Sequence, residues 1–211
     1  GRIRAINSKI RGGEVAHTGV VPFLKVFEAT VRSCTQNGIR GGSATVHFPI
    51  WHQEIEDILV LKNNKGTDDN RVRKLDYSIQ ISKIFYERLL SDDEITLFSP
   101  HDVEDMYEAF GHDNDKFDQL YLKYEADRKT PKKKIKAMDL FSALLKERAE
   151  TGRIYVMNID HANTHSSFKD PVRMSNLCQE ITLPTNPIQD IHDSEGEIAL
   201  CILSAINVGT L

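Results

Sequence analysis

Tyr77-Ser78-Ile79-Gln80-Ile81-Ser82-Lys83-Ile84-Phe85-Tyr86-Glu87-Arg88-Leu89-Leu90 is the stretch that decides the fold. Tyr77, Ile79 and Ile81 alternate with polar residues, the period-2 signature of a strand. Beyond Ser82 the pattern turns helical over Lys83–Leu90, so strand and helix form one βα unit. The same alternation recurs on both sides. Upstream, helical spacing of Val20, Phe23, Leu24, Phe27 and Val31 predicts a helix over 20–31, and 44–48 reads as a strand. A helix over 51–61 follows, with Ile55, Ile58 and Leu61 on one face, and then a polar loop over 63–70. Downstream, 95–98 is a third short strand closed by Ser99-Pro100, and 102–110 is helical. Two longer helices are expected over 115–127 and 133–150. The second stops at Gly152, where a glycine C-cap belongs. A fourth strand over 153–159, an irregular stretch over 160–170 and a last strand over 198–208 complete the pattern. Strands separated by helices imply an α/β fold, a largely parallel sheet or barrel of βα units. Parallel edges are normally covered, so these four or five strands are expected to need further strands to fold well.

At 211 residues the chain is long for one ordinary domain and short for two. Its 40% hydrophobic and 27% charged residues exclude wholesale disorder. A net charge of −4 does not advertise a nucleic-acid partner. No apolar run approaches the ~18 residues of a membrane helix, so neither nucleic acid nor membrane is an expected partner. The three cysteines, Cys34, Cys178 and Cys201, are too few for a disulfide scaffold, which points to a reducing cytoplasm. No leader and no initiator Met are visible. Both ends look cut, and the chain is expected to be a segment of something longer.

Four features could carry chemistry. His161-Ala162-Asn163-Thr164-His165 has H-x-x-x-H spacing, but the zinc-hydrolase version needs a Glu after the first His, and the surroundings favour a loop. No metal site is expected. The basic stretch 128–136 lacks the interleaved aromatics of a single-strand platform and reads as a solvated connection between helices. Two loops combine Arg with glycine, Gly1 to Gly13 (with Arg2, Arg4, Lys9 and Arg11) and Gln36 to Gly42 (with Gln36 and Arg40). Such loops can contact phosphate, although neither matches a Walker A or dinucleotide fingerprint. The fourth feature is Ser175-Asn176-Leu177-Cys178-Gln179-Glu180. If it is extended, Asn176, Cys178 and Glu180 share a face. A neighbouring carboxylate disfavours a thiolate nucleophile. A neutral thiol or thiyl radical suffers no such penalty, and the Glu can still act as a base. The competing reading is a buried Cys on a strand.

Taken in order, Ile10-Arg11-Gly12-Gly13-Glu14, Ser33-Cys34-Thr35-Gln36, Ile39-Arg40-Gly41-Gly42, Trp51-His52 and Leu59-Val60-Leu61-Lys62-Asn63-Asn64 resemble the large, catalytic subunit of class I ribonucleoside-diphosphate reductases. Thr96-Leu97-Phe98-Ser99-Pro100-His101, Thr151-Gly152-Arg153-Ile154-Tyr155, Ser175-Asn176-Leu177-Cys178 with Glu180, and Glu197-Ile198-Ala199-Leu200-Cys201 extend the resemblance over essentially the whole chain. The resemblance implies about one half of a ten-stranded α/β barrel with a cysteine at the tip of an internal finger loop. It implies an incomplete catalytic barrel domain over 1–211. Specificity-effector loops and a helix would occupy 1–43, βα units 44–159, and the active-site cysteine loop with its following strand 160–211.

The activity implied is reduction of ribonucleoside diphosphates to 2′-deoxyribonucleoside diphosphates for DNA precursor synthesis. Cys178 matches the transient thiyl radical, Glu180 the base for the 3′ hydroxyl and Asn176 the amide that holds the ribose hydroxyls. Cys201 matches one half of a redox-active dithiol whose partner belongs upstream of Gly1. Arg4 and Arg11 fall where the family grips the phosphates of deoxynucleotide or ATP effectors, and Gln36 and Arg40 fall in the loop that relays effector identity. No cofactor is expected on this chain, because a small subunit holds the radical cofactor. The partners implied are the remainder of the large subunit, a second large subunit, that small subunit, and thioredoxin or glutaredoxin. Ser166 to Pro171 looks shorter than in close relatives, a departure that touches no matched residue. A nucleotide-binding piece without turnover is the alternative.

Overall fold

The strand Asp76–Ile81 is buried at all six positions, as a central parallel strand covered on both faces must be. The computed structural model describes residues 3–210. Gly1 and Arg2 of the first basic loop, and Leu211, lie outside the described residues. In chain order the elements are β1 (Lys9–Ile10), β2 (Val15–Ala16), α1 (Val21–Ser33), β3 (Thr35–Gln36), β4 (Arg40–Gly41) and β5 (Thr45–Pro49). Next are α2 (Ile55–Leu59), β6 (Asp76–Ile81), α3 (Lys83–Leu90), β7 (Glu94–Leu97), α4 (Glu104–Ala109) and α5 (Asn114–Ala126). The series ends with β8 (Lys133–Lys136), α6 (Ala137–Thr151), β9 (Ile154–Asn158) and α7 (Ile159–Thr164).

The central sheet is parallel in the order β5-β6-β9, with Phe48 beside Ile79 and Ile79 beside Val156. Its two faces differ in character. Phe48, Tyr77, Ile79, Ile81 and Ile154 belong to the hydrophobic core, and α6 packs on β9 and against α2 and α3. Thr45, His47, Asp76, Ser78, Gln80, Tyr155 and Met157 alternate onto the opposite face. Apart from Met157, that face is lined by polar side chains.

A second core region is aromatic. Trp51 meets Phe110 edge-on at 5.6 Å, Phe110 lies 5.0 Å from Phe117, and Phe98 meets Tyr121 edge-on at 5.6 Å. The fully buried Tyr121 hydroxyl accepts from Thr96 N (2.6 Å) and donates to Thr96 O (2.8 Å). One phenol thereby satisfies both backbone groups of a β7 residue. Tyr121→Phe strands both and is expected to cost about 1–3 kcal/mol, read as a thermal midpoint lowered by about 2–4 °C per kcal/mol.

The βα unit at 76–90 and the predicted strands over 44–48, 95–98 and 153–159 form within a residue or two of their expected bounds. Gly152 takes the left-handed conformation (φ 67°) and its N–H bonds Arg148 O, as a C-cap should. Other expectations are corrected. Only Ile55–Leu59 of the helix expected over 51–61 is helical, because Phe98 N donates to Trp51 O and Gln53 N to Phe98 O. Those bonds commit the backbone of 51–53 to a bridge with the end of β7. The helix expected from residue 133 begins at Ala137, since Lys133–Lys136 pairs antiparallel with β7. The basic stretch 128–136 is therefore half strand, and the sheet system is mixed. Residues 160–164, expected to be irregular, belong to α7, where Asp160 Oδ2 accepts from Lys83 N (2.6 Å). The strand expected over 198–208 is absent. Apart from the bridge between Asn186 and Glu197 just before it, no strand pairs with this region among the described residues, and Ile202 is 94% exposed.

Candidate active site

Three side-chain contacts lay the segment around Cys178 across the polar face of the sheet. Gln80 Nε2 donates to Arg173 O (2.7 Å) and Thr45 Oγ1 donates to Leu177 O (2.6 Å). Gln179 Nε2 donates to Ser78 Oγ. Contacts from Gln80 near the end of β6 and Thr45 at the start of β5 mean the chain runs opposite to the strands beneath it. The segment is not extended, which corrects the expectation from alternation. Asn176 N donates to Ile181 O (3.1 Å), Asn176 Oδ1 accepts from Ile181 N (3.0 Å), and Gln179 adopts φ 68°. This reciprocal pair reverses the chain, so Asn176, Cys178 and Glu180 are gathered by a tight turn and not by a shared strand face.

Asn176 is half-buried, whereas Cys178 and Glu180 are exposed. Tyr155, on β9, lies close enough to Cys178 for the two side chains to interact electrostatically. Asn176 and Cys201 line one cavity of about 160 Å³ with Thr45, His47, Ile181 and Leu183. Cys178 and Glu180 stand outside that lining, on the same turn. Cys34, Cys178 and Cys201 are all free thiols. His47 is the residue that sequence reasoning missed. It is buried, it lines the cavity, and burial lowers its pKa to about 4, so it sits there as a neutral imidazole. The polar positions Thr45 and His47 alternating on a predicted strand were the available signal.

The two Arg-glycine loops are hairpins. Arg11 sits at the turn of the β1–β2 ribbon, where Arg11, Gly12 and Gly13 take φ of 49°, 68° and 101°. Arg4 lies half-buried just before this ribbon, and neighbouring Ala5 N donates to Ser99 Oγ (3.3 Å). Gln36 and Arg40 face each other as cross-strand partners of the β3–β4 ribbon. Its Asn37-Gly38 turn has φ of 52° and 71°, the left-handed pair that a two-residue Asn-Gly hairpin turn uses. Ile39, at the tip, is 90% exposed. A Cβ on Gly42 would stand 2.2 Å from Val31 O, so only glycine lets this ribbon lie against the end of α1.

His161 and His165 lie on and just after α7 with rings 5.9 Å apart. Among the described residues no group of three or more His, Cys, Asp or Glu side chains is placed to hold a metal ion. No helix among the described residues is long and apolar enough to cross a membrane.

The chain is similar to known proteins over its whole length. The family model described as "Ribonucleotide reductase, barrel domain" matches residues 1–211. The ribonucleoside-diphosphate reductase subunit alpha of Haemophilus influenzae is 58% identical over 214 residues, covering all of this chain and 28% of that protein. The ribonucleoside-diphosphate reductase 1 subunit alpha of Escherichia coli is 56% identical over 193 residues, covering 90% of this chain and 25% of the relative. The subunit alpha of Enterobacteria phage T4 is 51% identical over 209 residues, covering 97% and 27%. The chain thus spans about 28% of the length of the curated relatives it matches. It belongs to the ribonucleotide reductase barrel-domain family, of which it carries one part.

Proposed function

We propose that this chain is the cysteine-loop part of a ribonucleoside-diphosphate reductase large subunit and works with the remainder of that subunit. The observation that carries the reading is the Cys178 turn, fastened to the polar face of the sheet with Asn176 and Cys201 on one cavity. A half-barrel whose inner face carries Thr45, His47, Ser78 and Gln80 offers hydrogen bonds to a sugar, and the turn projects a thiol into that space.

Cys178, having lost its hydrogen atom to a radical supplied by the small subunit, takes the 3′ hydrogen of the ribose and becomes S–H again. Glu180 accepts the 3′ hydroxyl proton as general base, and the 2′ hydroxyl leaves as water. Asn176 holds the ribose hydroxyls. Cys201 and a second thiol supply two electrons and two protons, one proton completing the water and the other ending at C2′, and finish as a disulfide. Glu180 gives its proton back to the 3′ oxygen, and Cys178 returns the 3′ hydrogen and is again the radical. Thioredoxin or glutaredoxin then reduces the disulfide.

Arg4 and Arg11 bind the phosphates of a deoxynucleotide or ATP effector, and the Gln36–Arg40 ribbon relays its identity. The division into 1–43, 44–159 and 160–211 follows these roles. Exposed Phe23, Val26 and Phe27 on α1 suit a contact with a second large subunit, and exposed apolar residues from Ile198 to Val208 suit the seat of the remaining barrel strands. The setting is the cytoplasm, where the thiols stay reduced.

The test is an assay of ribonucleoside diphosphate reduction by the complete large subunit carrying these residues, with its small subunit and a dithiol reductant. Deoxynucleotide that depends on both subunits is the expected product. Nucleotide binding without any deoxynucleotide would overturn the reading in favour of a non-catalytic nucleotide-binding piece.

A further inference from the structure

The Cys178 turn rests on β9 as well as on β5 and β6. Thr45 of β5 fixes Leu177, and Ser78 of β6 fixes Gln179, so Cys178 is held from both sides over the polar face. Tyr155 of β9 is the cross-strand partner of Ser78 and shares that face. Its hydroxyl stands near the Cys178 thiol on one side and the Arg153 guanidinium on the other, close enough for both to act on it electrostatically. Arg153 in turn contacts Asp76 at 3.4 Å, and Lys62 holds Asp76 at 2.8 Å. The phenol is thus the last member of a braced row, Lys62, Asp76, Arg153, Tyr155, that ends on the reactive sulfur.

We propose that Tyr155 is a positioning residue for Cys178, its hydroxyl donating to the sulfur so that the S–H bond is left free and directed at the ribose. The inference rests on the reductase reading above. Burial raises the pKa of the phenol, with the contact to Cys178 acting in the same direction, so Tyr155 keeps the proton it donates. Without the hydroxyl the thiol is free to turn about its side-chain torsions, and reactions that depend on hydrogen transfer between aligned atoms lose rate when alignment is lost.

Tyr155→Phe in the complete large subunit is the test, because phenylalanine keeps the ring and removes only the oxygen. With the small subunit present, kcat for nucleotide reduction is expected to fall about tenfold or more while the substrate KM and effector affinity stay unchanged. Alkylation of Cys178 by iodoacetamide, followed by mass spectrometry of its peptide across pH, supplies a readout that needs no turnover. The alkylation rate is expected to rise about twofold or more at each pH, because a thiol released from the hydroxyl is free to turn toward the reagent. An unmoved alkylation profile, or a kcat within about twofold of wild type, overturns the proposal. Turnover surviving in Cys178→Ser would sink the reductase reading instead, while the alkylation profile would still report on the Tyr155 bond.

Discussion

Cys178→Ser in the complete enzyme is expected to abolish deoxynucleotide formation, a loss of about a thousandfold or more, with effector binding intact. An O–H bond is much stronger than S–H, so serine cannot become the radical that takes the ribose hydrogen under the same driving force. Sterically the change is mild, since residue 178 is exposed and the turn is held by its neighbours Asn176, Leu177 and Gln179. Arg4 and Arg11 belong to a different part of the chain, around the β1–β2 ribbon, so nucleotide affinity there has no reason to move. Glu180→Gln should be less severe, since general bases typically contribute about 10²–10⁴-fold. The measurements are product formation by chromatography and effector binding by calorimetry, and retained turnover in Cys178→Ser would remove the assigned radical.

Acid is expected to unfold the protein through its buried imidazoles. Fully buried His52 accepts from Glu54 N on Nδ1 (3.1 Å), and burial lowers its pKa from 6.5 to about 4. Protonation there would desolvate a charge and break that bond. Between pH 6.5 and 4 the unfolded chain binds this proton and the folded chain does not, so stability rises with pH across the window and is lost as pH falls. At ~1.4 kcal/mol per unit, His52 alone accounts for about 3 kcal/mol, and His47 acts in the same direction. The buried carboxyls of Glu54 and Asp160, raised by burial, work oppositely, because they bind protons more readily in the folded state. Comparing wild type with His52→Asn isolates the imidazole, since the asparagine oxygen can accept the Glu54 N–H without titrating. Urea unfolding at pH 7 and pH 4.5 should show the stability gap between the two shifting toward the variant at the lower pH, and a gap independent of pH would rule out a neutral buried His52.

What the sequence made legible follows from how local each feature is. Tyr77 to Leu90 carries its own strand and helix periodicities, and both formed as read. Lys133–Lys136 did not disclose itself as a strand, because only pairing with Glu94–Leu97 holds it extended. Residues 198–208 fail in the opposite direction. Their apolar composition suits a strand, but a strand needs a neighbour, and none is present among the described residues. At the site, the residue types of Asn176, Cys178, Glu180 and Cys201 were readable from resemblance. The turn that gathers the first three was not, since it depends on Ile181 bonding back to Asn176 and on contacts with strands about a hundred residues away. His47 and Tyr155 escaped notice for the same reason, as their importance arises only when the turn is laid over them.

The fastening of that turn also settles when its entropy is lost. Fixing one residue's backbone costs about 1–2 kcal/mol, so an untethered excursion of this length would have to surrender several times that amount each time a nucleotide arrived. With Gln80, Thr45 and Ser78 each engaging the segment, the immobilisation is completed during folding, and under the proposed function a substrate would meet a sulfur whose location is already set. Under that same reading, affinity for a nucleotide would go to holding its sugar and phosphates instead of organising the protein.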